Sequence, residues 1–299
     1  MSPPSGYEKP TVHFSVVIPV YNGELTIAAA VSSVLQQTHL HEVIIVDDGS
    51  RDRTSEAVRS LDDPRVHFLK QPNAGPAAAR NTGADVASGS HLIFLDADDQ
   101  LLPNALSILA DVHCQEYQLA RSAALIDNGD LGLQTRYSIP SQFDYPRGSP
   151  LAGTFSIERR LFESIGGYDD EFRFGENSEL LFRAQMYLRD AQLEQGFDQR
   201  PTMKKVAQTG RSKHHYSAYT LDAAVRMIEK HGDAMRDDPL ILANHHAIAS
   251  HLYRRGGRRR LSVRHAISAA KARPTSLRTW ARIPLSFASP GRRRDRQES

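Results

Sequence analysis

The sequence predicts an α/β fold: an open, twisted, mostly parallel sheet flanked by helices, followed by an all-helical C-terminal module. Three observations carry this reading. Phe14–Val20, Val43–Val46 and Leu92–Leu95 are short apolar runs rich in β-branched residues, with the unbroken hydrophobicity of strands buried on both faces. Between them, apolar residues recur at helical spacing: Ile27, Val31, Val34 and Leu35, then Ala57, Val58 and Leu61. Beyond Leu221 only helical patterns remain, punctuated by Gly232, Gly256-Gly257 and Pro274.

Each element follows in order. Arg65–Leu69 alternates, as an edge strand does. Pro76 fits the first turn of an alanine-rich helix, Ala77–Ala87. Strand–helix alternation of this kind implies right-handed crossovers. The middle is less regular. A helix is expected over Asn104–His113, strands over Ala120–Ile126 and Gly132–Ser138, and a loop over Pro140–Pro150. Ile157–Ile165 reads as a helix stopped by Gly166-Gly167. Glu176–Arg189 reads as another, with Leu180, Leu181, Ala184 and Tyr187 on one face. The module behind it comprises Leu221–His231, Leu240–Tyr253, Leu261–Arg273 and Leu277–Ile283, packed as antiparallel neighbours, with Trp280 in a helix core.

Composition narrows the class. The chain has 299 residues, 40% hydrophobic and 24% charged, which is globular. No apolar run approaches the ~18 residues of a spanning helix. Met1–Pro10 lacks the apolar centre of a secretory signal. The single cysteine, Cys114, excludes an intrachain disulfide framework and a multi-cysteine zinc site, and reads as helix filler. The expectation is a cytoplasmic protein, peripheral at most at the inner membrane face. A net charge of +2 hides an asymmetry: Arg254–Ser299 carries 14 lysines or arginines against 2 acids, and the rest 23 against 33. Arg258–Arg260 and Arg292–Arg294 suit anionic lipid, an acidic partner or a solvated face. Without interleaved aromatics, no nucleic-acid partner is expected.

The chemistry gathers at strand ends, where open α/β sheets bind ligands. Asp96-Ala97-Asp98 sets two carboxylates just past the Leu92–Leu95 strand. Such a pair suits a hard divalent cation, Mg²⁺ or Mn²⁺, with a ribose and substrate phosphates beside it. Elsewhere it would be a solvated turn or cap. Asp47 and Asp48 open an Asp-Gly turn, where an aspartate either caps the next helix or accepts the imide N–H of a uracil, discriminating against cytosine. In Asn73-Ala-Gly-Pro-Ala-Ala-Ala-Arg80, Gly75 permits a tight turn, and the alanines let the helix approach the sheet. Arg80 then faces the acidic crevice, where a guanidinium pairs with carboxylate or phosphate.

Together, Val17-Ile-Pro-Val-Tyr-Asn22, Ile45-Val-Asp-Asp-Gly-Ser50, Asn73-Ala-Gly-Pro with Arg80-Asn-Thr-Gly83, and Leu95-Asp-Ala-Asp-Asp99 resemble the family 2 glycosyltransferases. The resemblance is close over residues 14 to 100 and looser to 190. It implies a GT-A fold and an inverting, metal-assisted hexosyl transfer from a UDP-sugar. It implies that Pro19, Val20, Tyr21, Asp47 or Asp48, Asn73, Gly75 and Arg80 surround the nucleotide, that Asp96 and Ala97 lie at the ribose, and that Asp98 holds the cation. On this reading 1–12 is a flexible start, 13–100 the nucleotide-sugar half, 101–215 the acceptor half, 216–288 the helical module and 289–299 a basic tail.

Gly153-Thr-Phe155, Gly166-Gly-Tyr-Asp169 and Phe174-Gly-Glu-Asn-Ser-Glu-Leu180 resemble the acceptor-side segment. There the family pattern reads Glu-Asp and its aspartate is the base. This chain has Glu176-Asn177, and an amide accepts no proton at neutral pH. Glu176, at a helix start that favours a carboxylate, is the substitute base, and Glu179 the second choice. A thiol acceptor would need less help than a hydroxyl. His214 or His215 matches a histidine that completes the metal shell in some relatives; in a strand or loop the two point apart, so only one can ligate. The acceptor is open among a glycan, a lipid carrier, a peptide and a small natural product. The helical module shapes its cleft or forms a homodimer contact. The alternative is a degenerate nucleotide-sugar-binding scaffold or sensor. Nucleotidyl transfer fits less well, because Tyr21-Asn-Gly-Glu24 lacks a basic residue.

Overall fold

The computed structural model describes residues 12–127, 133–137, 150–206 and 213–287. The chain divides into two units, Met1–Ser141 with Ser149–Gly210, and Gln142–Gly148 with Arg211–Ser299.

The first unit opens with the alternation read from the apolar runs: β1 (Phe14–Val20), α1 (Ile27–Leu35), β2 (Leu40–Asp47), α2 (Thr54–Arg59), β3 (Val66–Lys70), α3 (Pro76–Val86) and β4 (His91–Phe94). Then come β5 (Gln100–Leu101), α4 (Ala105–His113), β6 (Leu119–Asp127), β7 (Leu133–Tyr137), β8 (Phe155–Glu158), α5 (Arg159–Ser164), α6 (Glu176–Asp190) and β9 (Gly196–Lys205). The strands form one sheet in the order β3-β2-β1-β4-β8-β6-β9-β5, with β7 beside β6. β1 to β4 are parallel, and β8 lies antiparallel between β4 and β6. All seven residues of β1 are buried because both faces are covered. Val16, Ile18 and Val20 join the core with α1 and α4, while Val17 packs on the opposite side with α3, α5 and α6.

Close approach of α3 to the sheet is set by Gly83. A Cβ there would stand 2.4 Å from Val17 Cγ1 and 3.2 Å from Val46 Cγ2. Gly83→Ala is therefore expected to destabilise the protein by about 1–3 kcal/mol through overpacking, read as a lower urea midpoint at unchanged slope.

Two expectations from periodicity change here. Ile157 and Glu158, the start of the segment read as a helix, belong to β8, and only Arg159–Ser164 is helical. Ile157, Leu161 and Ile165 have helical spacing, but Phe155 and Ile157 are taken up by pairing with β4 and β6. β9 carries no strand signal, since Pro201 and four charged residues interrupt it; it forms because it pairs with β6 and β5.

The second unit holds α7 (Lys213–His231), a short 3-10 turn, α8 (Pro239–Arg255), α9 (Arg259–Ala272), α10 (Leu277–Trp280) and α11 (Arg282–Phe287). Asp238 caps α8, accepting from the N–H groups of Leu240 at 3.1 Å and Ile241 at 3.2 Å. The segment read as one helix over Leu277–Ile283 is two short ones. Trp280 is not in a core: it is 46% exposed, its indole N–H donating to the Pro274 carbonyl at 2.8 Å. Among the described residues no helix is long and apolar enough to cross a membrane.

Candidate active site

The carboxyl ends of β1 and β2 are tied together before they present anything to a ligand. The Asp48 N–H donates to the Val20 carbonyl at 2.8 Å, and the Asn22 N–H to Ser50 Oγ at 2.9 Å. Asp47 and Asp48 are both buried, and both serve protein donors. Asp47 Oδ1 accepts from the Ser50 N–H at 2.7 Å, and its Oδ2 lies 3.6 Å from Lys70 Nζ. Asp48 holds the loop ahead of α3. Its Oδ1 accepts from Gln71 Nε2 and the Ala74 N–H, each at 2.8 Å, and its Oδ2 from the Gly75 N–H at 2.9 Å. Asn73 Nδ2 closes the clasp on the Asp48 carbonyl at 2.9 Å. Pro19 and Val20 are buried within β1, while Tyr21 is exposed beside them.

One turn into α3, Arg80 is fully enclosed. Its Nη2 donates to Asp96 Oδ1 at 2.7 Å and its Nη1 to Glu176 Oε1 at 2.9 Å. Its guanidinium lies 5.3 Å from the centre of the Tyr168 ring. Burial opposes the cation, but the ring and the two carboxylates outweigh it and hold Arg80 charged. Residues 80, 96 and 176, far apart in the chain, are thus joined through one planar fork.

Asp96, Asp98 and Asp99 bring carboxylate oxygens within 4.8 Å of one another, and Ala97 packs against the core. Asp99 is buried. Its Oδ2 lies 3.3 Å from Lys205 Nζ at the end of β9, and its Oδ1 accepts from the Val206 N–H at 3.1 Å. Burial, reinforced by the charges of Asp96 and Asp98, pushes the Asp99 carboxyl up to about 7 despite Lys205. Three hard oxygen donors this close together fit a divalent cation.

The acceptor-side residues separate. Glu176 begins α6 after Gly175, whose φ of +79° gives the chain the left-handed turn that aims the helix. Asn177 is buried and uses both ends of its amide: Oδ1 accepts from Tyr168 OH at 2.8 Å, and Nδ2 donates to the Pro150 carbonyl at 3.3 Å. A carboxylate there would set oxygen against oxygen at Pro150. Glu179 is wholly buried in a bidentate pair with Arg183, at 2.7 and 2.6 Å, and Arg183 also caps the carbonyls of Ile165 and Gly167. This geometry offers an acceptor no access to Glu179. His214 and His215 lie in the first turn of α7, in the second unit, so the strand or loop expected for them is a helix; their side chains lie outside the described residues.

Three contributors escaped the sequence reading: Tyr168 against Arg80, and Asp99 with Lys205. Asp99 had a signal, being the third acid of its run. Tyr168 stood within a quoted motif, but its contact with Arg80 spans 88 residues.

A family model described as Glycosyl transferase family 2 matches residues 15–176. The Escherichia coli protein WfgD, named UDP-Glc:alpha-D-GlcNAc-diphosphoundecaprenol beta-1,3-glucosyltransferase, is 43% identical over 96 residues, 31% of this chain and 38% of that protein. The chain covers only 13–38% of the lengths of the curated relatives compared with it. Crystal structures of S. aureus TarS share the fold. One superposes with a TM-score of 0.63 at 18% identity, covering 92% of this chain and 52% of that one. TarS 1-349 in complex with UDP-GlcNAc gives 0.58 at 16% identity, covering 92% and 89%. With the four motifs in order on a GT-A sheet and the match spanning more than half its length, the chain belongs to glycosyl transferase family 2.

Proposed function

We propose that this protein is an inverting glycosyltransferase that moves a sugar from a UDP-sugar to an acceptor nucleophile. The observation that carries this is the enclosed Arg80, which binds the Asp96 strand end and the Glu176 helix start to one another. Tyr21, the Asp48–Gly75 clasp and Asn73 frame the nucleotide base, and Asp96 takes the ribose. Asp98, with Asp96 and Asp99 beside it, would hold Mn²⁺ or Mg²⁺, which supplies Lewis-acid neutralisation of the leaving diphosphate. Glu176 takes the acceptor proton as the nucleophile bonds to the anomeric carbon. The bond from that carbon to the diphosphate oxygen breaks on the opposite face, and UDP leaves with the electron pair. A lipid-linked sugar is the acceptor class that the WfgD name favours.

Asn177 favours a second reading, a nucleotide-sugar-binding scaffold, since the amide is fitted to its surroundings and accepts no proton. Two measurements separate the readings. Calorimetry with UDP should give binding that tightens with Mn²⁺ and loses that dependence in Asp98→Ala; unchanged affinity rejects the metal site. Glu176→Gln should slow transfer by ~10² or more if Glu176 is the base. Full activity in that variant removes Glu176 from the chemistry, and no transfer by the native protein to any of a broad acceptor panel leaves the scaffold.

A further inference from the structure

The end of the second unit has its amphipathicity inverted. α10 buries Thr279 and α11 buries Ser286, against α9 and α8. Four large apolar side chains of the same helices face out: Leu277 is 85% exposed, Trp280 46%, Leu285 60% and Phe287 60%. Among the described residues, four of the ten exposed large hydrophobic side chains fall within these eleven positions. A helix pair folded for its own stability would place these groups inward. Exposed large apolar side chains concentrated in this way mark a docking face.

The charge around it identifies the occupant. From Pro239 to Phe287 there is no aspartate or glutamate, while the segment carries 10 lysines or arginines. Arg278 and Arg282 stand within the apolar pair itself. Arginine, leucine, phenylalanine and an edge tryptophan together are the composition of an interfacial helix, whose apolar side chains enter the acyl boundary while its cations meet lipid phosphates. A second copy of the chain would set one arginine-rich face against another, which repels. Nucleic acid would take the arginines and leave Leu277, Leu285 and Phe287 without partners.

We infer that α10 and α11 form a membrane-docking face that binds the surface of an anionic bilayer. The inference stands on the second unit's own residues and is independent of the transfer reading. Trp280 is the only tryptophan, so its emission reports this face alone. The intact protein is mixed with vesicles of phosphatidylcholine, or of phosphatidylcholine with phosphatidylglycerol, and followed by sedimentation and fluorescence. The expected result is co-sedimentation with the anionic vesicles only, with a blue shift of Trp280 emission. Binding should fall sharply toward ~1 M salt, where screening is nearly complete. Leu285→Glu with Phe287→Glu should lower the partition coefficient about tenfold or more, since each replaces an inserted apolar group with an anion. Both positions are exposed, so melting temperature and UDP calorimetry should not move.

Several results would overturn the inference. Equal binding to neutral vesicles is one, and co-sedimentation without any change in Trp280 emission is another. A dimer in light scattering that the same double substitution dissolves would assign the face to a second copy. Binding to a duplex that is indifferent to Leu285 and Phe287, with no vesicle binding, would assign it to nucleic acid.

Discussion

Replacing Arg80 with methionine is expected to lower stability by about 3–5 kcal/mol, seen as a large drop in the urea midpoint, and to abolish transfer. The guanidinium is enclosed, and its removal leaves Glu176 and Asp96 facing each other without the cation that neutralises both. Against a total stability of about 5–15 kcal/mol, that loss leaves a substantial unfolded population. Arg80→Lys should recover little. A single ammonium nitrogen does not reproduce the planar fork whose Nη1 and Nη2 reach Glu176 and Asp96 separately while the guanidinium lies against the Tyr168 ring. Arg80→Met with Glu176→Gln separates structure from chemistry: it removes one orphaned charge and should regain part of the midpoint, while transfer stays absent. A wild-type midpoint in Arg80→Met alone would show that the triad adds nothing net to the fold.

Stability is also expected to collapse on mild acidification, by about 4 kcal/mol from the first unit's histidines between about pH 6.5 and 4.5. His91 and His113 lie with ring centres 4.0 Å apart. His113 Nδ1 is 2.6 Å from the Tyr117 carbonyl, which only accepts, so Nδ1 carries the proton and Nε2 accepts from Ser156 Oγ at 2.7 Å. His113 is therefore held neutral. Burial pushes His91 down to about 4, and burial with the neighbouring His91 pushes His113 down to about 3. His13, His41, Glu158 and Arg159 line the same cavity. Because the folded values lie below the ordinary 6.5, the unfolded chain binds protons more readily. The contribution is intact above pH 6.5 and drains away as pH falls toward the folded values. In the second unit His245 and His246, each lowered to about 4 chiefly by burial, add to the same slope. Thermal melts followed by circular dichroism at pH 7.5 and 4.5 test this, and His91→Phe should flatten the dependence. A melting temperature that holds constant across that range would contradict it.

The parts of this molecule that could be read from its sequence are those whose cause is local. β1, Val43–Val46 of β2 and Leu92–Phe94 of β4 are apolar runs because helices cover both their faces, and that demand is written residue by residue. The strand-end acids announce themselves by standing next to such runs. β8 and β9 could not be read, because their conformation comes from partners more than 30 residues away, as in the pairing of Ile93 with Ser156 and of Gln100 with Lys204. The same holds for Arg80 and Glu176: residue types and helix positions suggested a charged crevice, but not that one guanidinium would hold both sides of it. At Asn177 the departure from the family pattern was legible, while its fit to Tyr168 and Pro150 was not. Trp280 was misplaced because tryptophan usually marks a core, and here a buried threonine takes that place.

The insertion of β8 beside β4 has a consequence for biosynthesis. Until Phe155–Glu158 has emerged from the ribosome, β4 presents a bare row of backbone donors and acceptors, and Gln100–Leu101 waits for Met203 and Lys204. Unsatisfied edges of this kind recruit foreign strands, and distant pairings form slowly. A fragment cut shortly after Asp99 would therefore precipitate rather than survive as a miniature nucleotide binder, and a nascent chain stalled there would need a chaperone to shield it.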